Sequence, residues 1–193
     1  MFIQTESTPN PRTLKFLPGR DVLGAGSRDF QDAEAAQASP LAQALMAVDG
    51  VERVYLGGDF LTVTKAETIE WPHVKPHILA AIMDHFTSGR PVLLEGGAVD
   101  DVGSDEAPIA YEGDAADIVK ELKEIIEARV RPAVARDGGD ITFHSWDHEQ
   151  GVVRLNMRGS CAGCPSSTLT LKQGIENMLR HYVPEVQRVE QVV

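Results

Sequence analysis

The segment Glu95-Gly96-Gly97-Ala98-Val99-Asp100-Asp101-Val102-Gly103-Ser104-Asp105-Glu106-Ala107-Pro108 divides the chain. It mixes glycine with acidic residues, shows no hydrophobic period, and repels itself into extended shapes. A structureless stretch of that length is uncommon inside a compact domain, so it reads as a linker. Charge follows the same division. Residues 91–114 hold seven acidic and no basic side chains, against eleven and eight in 1–90, and eleven and ten in 115–193. The sequence therefore predicts an α+β protein of two small α/β-sandwich-type domains, 1–90 and 115–193, joined by a flexible acidic linker over 91–114.

Upstream of the linker, Phe2-Ile3-Gln4-Thr5 and Thr13-Leu14-Lys15-Phe16-Leu17 read as short strands around the turn Thr8-Pro9-Asn10-Pro11. Pro40 to Val48 carries Leu41, Leu45 and Val48 at helical spacing and stops at Asp49-Gly50. Val51 to Leu56 and Phe60 to Thr64 flank Gly57-Gly58-Asp59, a hairpin signal. A second helix is expected over Val74 to Phe86, with Ile78, Ile82 and Phe86 on one face. Pro72 and Pro76 are expected to break the region before it.

Downstream, Ile118, Leu122, Ile125, Ile126 and Val130 recur at helical spacing as far as Pro132. Asp137-Gly138-Gly139-Asp140 turns into the alternating strand Ile141 to His144. A second strand runs from Val152 to Met157, with Val153, Leu155 and Met157 on one face. A glycine-rich loop, a helix carrying Leu171, Ile175, Met178, Leu179 and Tyr182, and a short strand at Val186 to Val189 complete the part.

Length and composition limit the functions open to this chain. Its 193 residues suffice for one or two domains with real cores, and 42% hydrophobic with 24% charged residues is a globular balance. No apolar run approaches bilayer length, so no membrane partner is expected. A net charge of −11 without a basic face leaves nothing to neutralise phosphates, so nucleic acid is not expected either. The start Met1-Phe2-Ile3-Gln4-Thr5-Glu6 lacks the marks of a signal or transit peptide. The expectation is a protein of the bacterial cytoplasm, a reducing compartment in which cysteines favour metal or redox chemistry over structural disulfides.

The two cysteines of the chain lie in Gly159-Ser160-Cys161-Ala162-Gly163-Cys164-Pro165. Pro165 suits the first position of a helix, which makes Cys164 its N-cap and aims the amides of Ser166, Ser167 and Thr168 toward the sulfurs. Those donors and the helix dipole favour thiolate, and the flanking glycines suggest an exposed loop presenting both sulfurs outward. Metal centres of thiolate type want four ligands, so one chain offers half a site. The pair then cycles as a dithiol, joins histidines around zinc, or meets the same pair of a second chain. For a thioredoxin-like oxidoreductase, the 29 residues after Cys164 leave no room for the strands that fold needs. For zinc, His144 and His148 have usable spacing but fall in a strand and a polar turn, and His73 and His77 sit beside prolines. Two chains meeting at a symmetric boundary would supply four thiolates, for an iron–sulfur cluster or for zinc.

The stretch Met157-Arg158-Gly159-Ser160-Cys161-Ala162-Gly163-Cys164-Pro165-Ser166-Ser167, continuing through Thr168 to Glu176, closely resembles the C-terminal domain of NifU and Nfu proteins. Arg131-Pro132 and Asp137-Gly138-Gly139-Asp140 match the other hallmark of that family. Thr8-Pro9-Asn10-Pro11, Thr13-Leu14-Lys15-Phe16 and Asp59 to Lys65 look like the Nfu N-terminal domain, in the version typical of mitochondrial and alphaproteobacterial members. The resemblance implies a non-enzymatic scaffold or carrier. It would hold a 4Fe–4S cluster, or a 2Fe–2S cluster, between two identical subunits and pass it from upstream donors to apo iron–sulfur proteins. Cys161 and Cys164 of each chain would be the ligands, with no catalytic residue. Asp137 to Asp140 would be a structural turn near them. The N-terminal domain, lacking evident chemical residues, is expected to recognise partners.

Overall fold

A computed structural model of the chain describes residues 2–94, 110–162 and 165–192. The chain divides into two compact units, Met1–Asp101 and Val102–Val193. The linker read from Glu95 to Pro108 lies outside the described residues.

The first unit is an antiparallel sheet backed by helices. Its strands are β1 (Gln4–Ser7), β2 (Thr13–Leu17), β3 (Arg28–Phe30), β4 (Val51–Leu56) and β5 (Leu61–Lys65), in spatial order β1-β2-β5-β4-β3. Asn10 makes the first turn by accepting the Arg12 N–H on its side-chain oxygen at 3.0 Å. The expected hairpin joins β4 and β5, with Gly57 N–H donating to the Phe60 carbonyl at 2.8 Å. β3 and a 3-10 turn at Ala35–Ala38 come from a stretch without hydrophobic period, which hid them from sequence analysis. Helix α1 (Pro40–Met46) is capped by Ser39, whose hydroxyl accepts the Ala42 N–H at 3.0 Å.

Strand alternation sends Phe16, Phe30, Val54, Leu56, Leu61 and Val63 to one face, where they pack with Leu41 and Leu45 of α1 and Val74, Ile78 and Ile82 of helix α2 (Trp71–Ser88). A fully buried side chain of this size contributes about 1.5–3 kcal/mol. Cross-strand register sets a polar row on the opposite face: Glu6, Lys15, Thr62, Tyr55 and Asp29 stand side by side across five strands.

Helix α2 departs from the expected break at its prolines. Pro72 falls in the first turn, where no backbone donor is needed, and the helix continues through Pro76 to Gly89, which closes it at φ +68°. His73 and His77 therefore share a helix face, and His77 Nδ1 lies 3.0 Å from the His73 carbonyl. The last inward position of α2 is His85 rather than Phe86, which is only partly buried.

The second unit begins with a helical run that changes winding twice. Helix α3 (Asp114–Ile125) passes into a π-helical turn at Ile126–Val130 and then helix α4 (Arg131–Arg136). In the π turn the Arg131 N–H donates to Ile126, five residues back. Pro132, expected to end the run, sits where the winding resets and its missing donor costs little. Strands β6 (Gly139–Asp147) and β7 (Val152–Gly159) are antiparallel, and β8 (Arg188–Val192) joins β7 in parallel after helix α5 (Pro165–Tyr182). The final strand thus starts two residues later than the Val186 expected, because Val183 and Val186 are spent in the core. Leu122, Ile126, Ile141, Leu155, Leu179 and Val189 fill that core.

His85 yields a prediction. It is fully buried, and neither ring nitrogen has a hydrogen-bond partner among the described residues. Burial lowers its pKa from the ordinary 6.5, Arg90 adds to this, and Asp84 opposes it. On acidification the unfolded chain takes up this proton first, so the unit loses stability as pH falls from about 6.5 toward the depressed folded value. Urea midpoints for the first unit should drop over that window, and His85→Leu should flatten the drop. Equal pH slopes in both proteins would refute it.

Candidate metal-ligand turn

Two turns lie side by side at one end of the β6–β7 hairpin. Gly139, the first residue of β6, pairs with Gly159, the last of β7, and Asp140 pairs with Arg158. Gly138 and Gly159 hold positive φ, +79° and +62°, which other residues adopt at a cost. The Ser160 N–H donates to the Gly138 carbonyl at 3.1 Å and its hydroxyl to the Asp137 carbonyl at 2.6 Å. Ala162 N–H closes the turn onto Gly159 at 3.1 Å. The Asp137 to Asp140 turn is thus a scaffold against which the Ser160-Cys161-Ala162 turn is tied.

That scaffold is anchored from below. Asp140 is 5% exposed, and Arg131 binds its carboxylate through both oxygens, Nε to Oδ1 at 2.8 Å and Nη2 to Oδ2 at 2.9 Å. Arg131 Nη1 also reaches both Glu127 oxygens at 2.9 Å. Hydrogen bonding to Asp140 raises the Arg131 pKa further above its ordinary value. Asp140 Oδ1 accepts the Ile141 N–H at 2.9 Å as well, so the buried charge is fully engaged. Both motifs stand out in the sequence, but no local pattern joins them. A cation nine residues before a carboxylate, across a turn, was the available signal.

Cys161 stands inward, with 5% of its surface exposed, where the sequence suggested an outward thiolate. Burial pushes its thiol up to about 12; the nearby Asp137 and Asp140 charges add to this, and the Ser160 hydrogen bond opposes it. The reason is a vacancy in the neighbouring strand: a Cβ built on Gly139 would lie 2.3 Å from the Cys161 sulfur. The sulfur fills the place a side chain would have taken. Cys164 lies outside the described residues, and the side chains of residues 165–168 are not described. Helix α5 does begin at Pro165.

The alternative zinc ligands are not brought to this turn. His144 bonds Ser145 at a bulge in β6, about 15 Å along the strand from Gly139. His148 is exposed, its ring edge-on to Trp146. His73 and His77 line an open depression with Asp49 and Ile69 in the first unit. Among the described residues no group of three His, Cys, Asp or Glu stands close enough to hold a metal ion.

Comparison with known proteins adds the following. Residues 3–89 match the family model described as scaffold protein Nfu/NifU N terminal, and residues 122–190 match the NifU-like domain. "NifU-like protein 4, mitochondrial" of Arabidopsis thaliana is 50% identical over 191 residues, 99% of this chain and 66% of its own. "NifU-like protein 5, mitochondrial" of the same plant is 50% identical over 99% of this chain and 68% of its own. "NFU1 iron-sulfur cluster scaffold homolog, mitochondrial" of Drosophila willistoni is 50% identical over 100% of this chain and 64% of its own. The chain therefore spans about two thirds of the length of these relatives. A solution structure of a NifU-like protein from Saccharomyces cerevisiae aligns with a TM-score of 0.44 and 31% identity, over 48% of this chain and 84% of that one.

These relatives correct one expectation. The bacterial cytoplasmic assignment conflicts with three mitochondrial proteins that match the full chain at 50% identity. An address is carried by a segment apart from the folded units, so the sequence of those units was never a measure of it.

The anchor can be tested directly. Arg131→Met leaves a buried carboxylate unpaired and should cost about 3–5 kcal/mol of second-unit stability. Adding Asp140→Asn should recover part of it in urea unfolding, and a loss under 1 kcal/mol in the single variant would show the pair to be dispensable.

Proposed function

The chain belongs to the Nfu/NifU family of scaffold proteins, and from that premise we propose that it carries an iron–sulfur cluster, 4Fe–4S in type, bound between two copies of itself. The observation that carries the reading is the cysteine count. The chain has two cysteines, three residues apart, both inside the part matched by the NifU-like domain. Two thiolates fall two short of what such a cargo takes. Cys161 and Cys164 of one copy, with the same pair from a second, complete the set on a two-fold axis.

The role assigned to each residue follows. Cys161 and Cys164 hold the cargo by thiolate ligation, and on delivery they yield their positions one by one to thiolates of an apo iron–sulfur protein. The displaced sulfurs take up protons, and the two copies separate as the cluster leaves. No residue makes or breaks a covalent bond in a substrate, so the protein acts as a carrier and not as an enzyme. Upstream donors load the pair by the reverse exchange. Residues 1–90 serve partner recognition and 115–193 hold the cargo, with 91–114 as the acidic connector. A client gripped by the first part meets the second at raised effective concentration.

Anaerobic reconstitution should give about four irons per two chains and a brown colour, lost in Cys161→Ala and in Cys164→Ala. Gel filtration should show the iron-loaded form as a dimer. A full complement of iron on a strictly monomeric species would overturn shared ligation. Colourless protein with tightly held zinc, or efficient insulin reduction by the dithiol form, would favour a zinc or redox protein. Removing residues 1–90 should slow transfer to at least one apo-client, and unchanged transfer to every client tried would remove the recognition role.

A further inference from the structure

Gly139 is not placed by any need for a special backbone conformation: its φ is not among the positive values. What it lacks is room. A Cβ there would stand 2.3 Å from the Cys161 sulfur, and 3.1 Å from both the Arg158 carbonyl oxygen and the Ser160 hydroxyl. Non-bonded heavy atoms settle at about 3.5–4.0 Å, so the sulfur occupies space that any other residue would close. The pocket cannot widen easily. Gly139 is locked to Gly159 by strand pairing, Asp140 is clamped by Arg131, and Ser160 is tied to Gly138 and Asp137.

We propose that Gly139 is a positioning residue for Cys161: its missing side chain makes a seat that holds the unliganded sulfur inward, so the iron-free chain keeps this ligand covered. Cys161, 5% exposed as a residue, presents little of itself to a centre shared with a second chain. Loading therefore requires the turn to lift Cys161 out of the seat, and release lets it fall back. The seat makes the empty carrier resistant to thiol reagents at this position and places an opening step before ligation. The consequence for loading rests on Cys161 being a ligand; the seat itself does not.

The test uses the full chain, iron-free and reduced, with Cys164→Ser so that one thiol remains, and iodoacetamide as probe. Native Cys161 should be alkylated roughly 100-fold more slowly than in the same chain unfolded in urea, as for a site that reacts only after local opening. Gly139→Ala should raise the native rate roughly ten-fold or more, the population shift expected from overpacking. Gly174→Ala adds a methyl in open space on α5 and should leave the rate unchanged. Native alkylation within a few-fold of the unfolded rate, or no acceleration in a folded Gly139→Ala, would overturn the proposal. If Gly139→Ala folds poorly, Cys161→Ala should restore much of its lost Tm by removing the obstructing sulfur, and no recovery would equally overturn it. No iron enters these measurements, so their outcome is separate from that of the carrier reading.

Discussion

The second unit is organised around the meeting of Gly139 and Gly159, two residues without side chains at the head of a hairpin. Close approach there lets one turn lie on the other, and the hydrogen bonds of Ser160 hold them together. The Arg131–Asp140 pair fixes this arrangement to the helical run beneath. A buried ion pair gives little net stability, because desolvating both charges offsets most of their attraction. Its effect here is geometric, since it sets the height of the strand against which Cys161 rests.

Most of the fold was legible because its elements are periodic. Leu41 and Leu45, Ile78 and Ile82, and Leu122, Ile126 and Val130 announce helices that bury those residues. Gly57-Gly58-Asp59 and Thr8-Pro9-Asn10-Pro11 specify their turns by local chemistry. Two of the misreadings occur where a proline was taken as a stop. Pro76 and Pro132 both lie inside helical runs, one in the second turn of α2 and the other just after a π turn. Whether a proline breaks a helix depends on where the missing donor falls, which is a matter of winding and not of composition.

The turn around Cys161 was legible as a turn and hidden in posture. The motif Cys161-Ala162-Gly163-Cys164-Pro165 and the turn Asp137 to Asp140 could be read as neighbours in function, and the Ser160-Cys161-Ala162 turn lies against the second of them. That Cys161 faces inward could not be read. It depends on the absence of one Cβ from residue 139, twenty-two positions away, and on a cross-strand register that no local pattern encodes. His85 makes the same point in the first unit. Helical phase places position 85 inside, and no periodic argument says that the imidazole there will lack a hydrogen-bond partner among the described residues.

The π turn at Ile126–Val130 has a consequence for how this sequence can vary in length. One residue more than a regular helix needs is wound into that turn, so Arg131 emerges in the phase a regular helix would give it and reaches Asp140. Losing one residue there would restore even winding and leave the helix beyond it in phase, with the guanidinium still facing its carboxylate. Substitutions can accumulate along the outer side of α3 at little cost, and the turn between α3 and Arg131 can also give up its extra residue. A one-residue gap in this stretch, in any related sequence, would mark a regular helix and not a lost anchor.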